Sequence, residues 1–154
     1  MIGRYWIDDW NAIIRDVIFE DEELKALMKL PKDVSLLEFV DEYFVRAGYT
    51  TKLLTDQTVR IVYGETRSSE TRNPKVNKQE LSFDIYVKLK DVRNAEKDRL
   101  VMRTHLIANR LINILTRKRY LGGYRFWVTG QCEMGTSTIG YTRYNVTFNF
   151  LKSY

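Results

Sequence analysis

A chain of 154 residues is enough for one ordinary domain, and at this length folding buries roughly 70% of the surface of the extended chain. Hydrophobic residues at 44% and charged residues at 29% exclude a disordered polymer. The single cysteine, Cys132, excludes an internal disulfide and a Cys-rich metal site, no apolar run approaches the roughly 18 residues of a membrane span, and residues 1–10 lack the apolar stretch of a secretory signal. The expectation is therefore a soluble single domain, residues 1–154, made in the cytoplasm. Its net charge of +5 is unevenly placed: residues 1–42 hold 11 of the 20 acids and 5 of the 25 bases, whereas residues 99–154 hold nine Lys/Arg and one acid, Glu133. Such asymmetry suits nucleic acid, or an oligomer in which the acidic part of one copy meets the basic part of the next. The ten Tyr, seven Phe and three Trp serve either a core or wet-edged interfaces.

In chain order, residues 5–18 have the spacing of an amphipathic helix, with Trp6, Trp10, Ile13, Ile14 and Val17 on one face. A short second helix runs from about Asp21, a candidate N-cap followed by Glu22 and Glu23, to Leu30, where Pro31 stops it. Residues 34–47 repeat the helical spacing. Ser35 and Glu38 form a candidate capping box and Gly48 a stop, while Phe39, Val40, Tyr43, Phe44 and Val45 also have high strand propensity.

The pattern then changes. Residues 58–64 and 81–89 read as strands, the second alternating Leu81, Phe83, Ile85, Val87 and Leu89 against Ser82, Asp84, Tyr86 and Lys88. Residues 65–80 between them are polar, with an Asn73-Pro74 turn signal, and predict a hairpin with a long basic loop. Residues 95–117 carry the strongest helical stripe: Leu100, Ile107, Leu111, Ile114 and Leu115, with Arg99, Arg103 and Arg110 off it. Two further strands follow at 124–130 and 141–151, joined by a loop at 133–140. The predicted fold is α+β: N-terminal helices (an acidic segment, 1–48), then a β-β-α-β-β antiparallel sheet (58–151) with one long helix packed on one face.

Residue types that carry catalysis are not grouped. His105 is the only histidine and sits in mid-helix, Gly122-Gly123 opens a strand and not a helix, and no phosphate-binding loop motif is present. Asp8-Asp9 and Asp21-Glu22-Glu23 read as helix-start features, and Asp84 as a solitary acid on a polar strand face. No enzyme activity, metal or cofactor is expected. Arg117, Lys118, Arg119, Arg125 and Arg143 lie near Tyr120, Tyr124, Trp127, Tyr141 and Tyr144 in sequence, which keeps a basic nucleic-acid-binding module as an alternative.

Residues 59–64, Asn73-Pro74, residues 81–88, Asp98-Arg99 with Ile107 to Leu115, and the closing stretch 140–150 together resemble phage tail terminator (tail completion, minor tail) proteins and their relatives in prophages and phage-tail-like particles. That resemblance implies a structural virion assembly protein: a homo-hexameric ring, assembled in the bacterial host cytoplasm and located in the tail or neck of the virion. The ring caps the tail tube protein, ends its polymerisation and meets the head connector or neck protein. DNA passes through without sequence-specific contact. A head–tail connector or adaptor is the neighbouring alternative. On this reading Arg67, Arg72, Lys75, Lys78, Glu133, Thr136 and Thr138, in the two hairpin loops, are contacts to a neighbouring subunit or the tube, and Arg117, Lys118, Arg119 and Arg125 form a ring-closing basic patch.

Overall fold

The computed structural model describes residues 6–49, 57–71, 76–96, 99–117, 124–135 and 139–153. The chain opens with helix α1 (Trp6–Ile13), which runs on through a wider π-helical turn, Ile14–Ile18. Trp10, Ile13 and Ile14 of its apolar stripe have almost no exposure, as the spacing predicts; in the wider π-helical turn Ile18 is fully buried and Val17 only partly so. Helix α2 (Glu22–Leu27) is capped by Asp21, whose carboxylate accepts the Leu24 N–H at 2.8 Å. Ser35 caps the next helix in the same way, accepting the Glu38 N–H at 3.1 Å.

That third helix is shorter than its spacing suggests. It comprises α3 (Leu36–Glu38) and a π-helical continuation, Phe39–Tyr43, and the chain then becomes extended as β1 (Phe44–Arg46). Aromatic packing decides the boundary. Phe44 stacks on Phe39 at 5.5 Å and tilts against Tyr63 at 4.9 Å, positions reached from a strand lying on the sheet. Gly48 therefore ends a strand and not a helix, and its φ of +81° serves the turn that follows.

Strands β2 (Val59–Glu70) and β3 (Val76–Lys88) form the long hairpin. The stretch expected to be a loop is mostly ladder. Pairing continues through a bulge between Glu65 and Arg67 to Glu70 opposite Asn77. Polar residues are compatible with this because one face of an antiparallel hairpin can remain in water and the ladder is held by backbone bonds.

A 3₁₀ turn (Leu89–Asp91) leads to a small hairpin, β4 (Arg93–Glu96) and β5 (Arg99–Met102), and then to helix α4 (Arg103–Arg117). The helix thus starts eight residues later than its stripe implies. Residues 99–102, including Leu100 and Val101, pair across a two-stranded sheet instead, a case where a short apolar run fits either structure. From Ile107 onward the stripe holds, with Ile107, Ala108, Leu111 and Leu115 fully buried. Arg103, expected off the stripe, is only 8% exposed.

Strands β6 (Phe126–Met134) and β7 (Tyr141–Ser153) complete the main sheet in the order β1-β2-β3-β7-β6. β6 passes through Gly130 by means of a bulge at Val128/Gly130, so the connecting loop is shorter than predicted and Glu133 lies on the strand. All neighbouring pairs are antiparallel except the edge strand β1, which runs parallel to β2. The α+β architecture with one long helix on the sheet is as expected, with that parallel edge added. The core lies between the helices and the face of Tyr63, Phe83, Ile85, Val146 and Phe148, and Trp10 sits at its centre, 5.5 to 6.4 Å from Tyr63, Phe83 and Phe126. Many of the aromatics that suggested an interface are core residues.

Candidate functional site

The opposite charges of the two chain ends meet first inside the subunit. Helix α4 carries Arg103 and Arg110 seven residues apart, hence on one face, and that face lies along α2. Arg110 donates from Nε to Asp21 at 3.0 Å and from Nη1 to Glu23 at 2.9 Å, gripping the N-terminus of α2. Arg103 donates to the Leu27 carbonyl at 2.8 Å and to the Asp91 carbonyl at 2.9 Å, closing the other end. Burial penalises the Asp21 carboxylate, but the hydrogen bonds from Arg110 and the Leu24 N–H outweigh it and hold the carboxyl below its ordinary range. Asp9, expected to be a solvated helix-start acid, is buried and accepts the Tyr124 hydroxyl at 2.9 Å.

The sheet face turned away from the helices is polar and ordered. Asp84 is not solitary there. It accepts from Arg143 Nη2 at 2.9 Å and from Asn145 Nδ2 at 2.9 Å, and Asn145 also donates to Ser82 at 2.7 Å. The Asp84 carboxylate holds the Arg143 guanidinium above its ordinary pKa against the opposing effect of burial. Arg143 therefore lies on the sheet face opposite to α4 and its Arg117, and Tyr141 is buried. Of the basic and aromatic residues close in sequence, Arg143 and Arg117 are thus on opposite faces, while Lys118, Arg119 and Tyr120 lie outside the described residues.

Of the predicted contact residues, Arg67 lies in β2 opposite Glu80, and Lys78 is exposed in β3 opposite Ser69. Glu133 is exposed on β6, with its carboxylate 3.7 Å from His105 Nε2. Arg117 is exposed at the end of α4 and Arg125 just before β6. Arg72, Lys75, Lys118, Arg119, Thr136 and Thr138 lie outside the described residues.

One feature was not foreseen. Between α1 and α3, above the β1–β2 edge, two adjoining hollows of about 370 and 330 Å³ share Asn11, Val40 and Tyr63. Ile14, Leu36 and Leu37 line one of them, and Ile7, Arg46 and Tyr49 the other. Leu37 is 69% exposed at the rim.

The YomW family matches residues 21–150. The chain belongs to this family. YomW proteins are phage- and prophage-associated proteins of Bacillus, which agrees with the phage origin implied by the sequence resemblance. No curated protein matches the chain. The YomW match begins at Asp21, the residue that caps α2 and binds Arg110, and ends at Phe150 in β7, so it contains the whole α2–α4 clamp and the sheet. It leaves out α1, one wall of the groove. No helix among the described residues is long and apolar enough to cross a membrane.

Proposed function

We propose that this YomW protein is a structural virion assembly protein: its subunits close into a ring, on the hexameric pattern, that caps the tail tube, ends its polymerisation and offers a surface to the head connector. The observation that carries this reading is the pair of unlike flanks on a one-sided sheet. Among the described residues the helices cover one face only, and β1 and β6 are each paired on one side. One flank is a short parallel strand beside an apolar groove, and the other is a nine-residue antiparallel strand. Closed rings need a heterologous contact between two different patches, and unlike flanks supply them. Association of the family with phages supports the setting. The β2–β3 hairpin continues about 10 Å beyond Gln79, its last buried residue among those described, which suits the exposed Lys78 for reaching the tube or a neighbour.

The test is a phage or prophage deleted for this gene. Electron microscopy should show tubes of abnormal length without heads. Tails of normal length that fail to join heads would instead favour a connector, and normal particles would overturn an assembly role.

A further inference from the structure

Resting on the ring reading, the structure also points to which surfaces meet. The hollow of the α1–α3 groove lined by Ile14, Leu36 and Leu37 is largely apolar, and its neighbour mixes Ile7 and Tyr49 with the exposed acid Asp41; Asp8 and Glu38 are exposed acids on the same two helices. Arg15 at its edge adds little positive charge, because Asp16 holds it by two hydrogen bonds of 2.7 and 2.9 Å, and Arg46 is the cation left in the lining.

The opposite character appears at the far end of the sheet. The Leu89 N–H donates to the Gly140 carbonyl at 2.9 Å, which brings the turn after β3 against the turn before β7. Two apolar side chains project there, Leu89 at 60% and Ile139 at 97% exposure. Exposed Lys90 and Arg93 flank them, and the nearby acid, Asp91, is tied to Lys29 at 3.0 Å. An isolated Ile at that exposure loses hydrophobic stabilisation that it would regain in a groove. The two sites are distinct. Tyr63 in the groove pairs with Phe83, whereas the knob follows Lys88, about 16 Å along the strand, at the end of the inner strands β3 and β7.

We propose that the ring-closing contact seats the Leu89–Ile139 knob of one copy in the α1–α3 groove of the next, with Lys90 and Arg93 facing Asp8, Glu38 and Asp41. The occupant is a second copy because both halves of the fit, apolar shape and opposite charge, are carried by this chain at two separate places, the groove beside β1 and the β3–β7 end of the sheet.

The experiment uses the full chain and two variants, Leu37→Glu in the groove and Ile139→Glu on the knob, followed by sedimentation velocity and native mass measurement. Both positions are exposed, so both variants should melt with the wild type. Each alone should need at least tenfold more protein to form rings. Mixed in equal amounts they should give heterodimers and nothing larger, because the groove of the knob variant can accept the knob of the groove variant, while the second contact is defective on both sides. Rings formed by either variant at wild-type concentration, or a mixture that stays monomeric while both variants are folded, would overturn the assignment and leave the ring reading standing. A wild-type protein that forms no ring at any concentration, free or with tubes, would overturn both.

Discussion

Asp21→Ala removes two things at once, and the structure separates their sizes. The Asp21 and Arg110 side chains are 13% and 21% exposed, between a surface pair and a buried one. Exposed pairs contribute about 0–1 kcal/mol and breaking a fully buried pair costs about 3–5, so loss of this pair should cost about 2 kcal/mol. Loss of the cap on the Leu24 N–H adds about 1 kcal/mol. Asp21→Ala should then destabilise by about 3 kcal/mol, lowering Tm by roughly 6–12 °C for a domain of this size. Asp21→Asn keeps a capping side chain and should cost about 2 kcal/mol. The folded carboxyl titrates below its ordinary value, so its contribution is complete above the unfolded pKa and disappears as pH falls through the folded one. Urea titrations from pH 7 down to pH 2 should show the wild-type advantage over Asp21→Asn shrinking only in the acid range below the usual carboxylate pKa. A loss under half a kcal/mol for Asp21→Ala at pH 7, or full additivity of Asp21→Asn with Arg110→Met in a double-mutant cycle, would refute the clamp.

Three other perturbations follow from the same structure. Leu111 is fully buried on α4, and Leu111→Ala should cost about 2–5 kcal/mol by urea denaturation. Gly140 has a φ of +82° with open space at the Cβ position, so Gly140→Val should cost about 1–2 kcal/mol through backbone strain alone, and Gly140→Asn distinctly less. Arg117 and Arg125 are exposed, so the double reversal Arg117→Glu/Arg125→Glu should leave the melting profile nearly unchanged while weakening ring or tube association, most at low salt.

The sequence disclosed elements best where one periodicity was unopposed. The α1 stripe at Trp10, Ile13 and Ile14, the caps at Asp21 and Ser35 and the alternation of Leu81, Phe83, Ile85 and Val87 in β3 appear as read, because each depends on neighbours within a few residues. It misled where a short apolar run fits two structures. Leu100 and Val101 fit a helical stripe, and Phe44 and Val45 fit a helix end, until pairing partners 5 and 7 residues away for the first two and 17 for the others made strands of them. The polar part of the β2–β3 hairpin gave no alternation to detect, since its ladder is backbone. At the candidate site the exposed Arg117, Arg125, Lys78 and Glu133 could be named from composition. The groove could not, because it is made by the angle between two helices that are not neighbours in the chain, Trp6–Ile13 and Leu36–Glu38.

Charge asymmetry in the sequence suggested pairing between copies, and the fold assigns part of it to pairing within one. Asp9 and Asp21 are turned inward onto Tyr124 and Arg110, and Glu23 also binds Arg110, whereas Asp8, Glu38 and Asp41 stay in water beside the groove. The two sets should respond differently to salt. Screening acts within about 10 Å at 0.1 M for solvated charges and much less on half-buried, hydrogen-bonded ones. As salt rises from 50 mM to 1 M, rings should dissociate into folded subunits whose melting temperature changes by no more than a few degrees. The check is parallel sedimentation and thermal melting across the series. Rings indifferent to salt would mean that the exposed acids and bases play no part in association. Subunits that lose their fold before the rings part would mean that the α2–α4 clamp is far more solvated than its geometry shows.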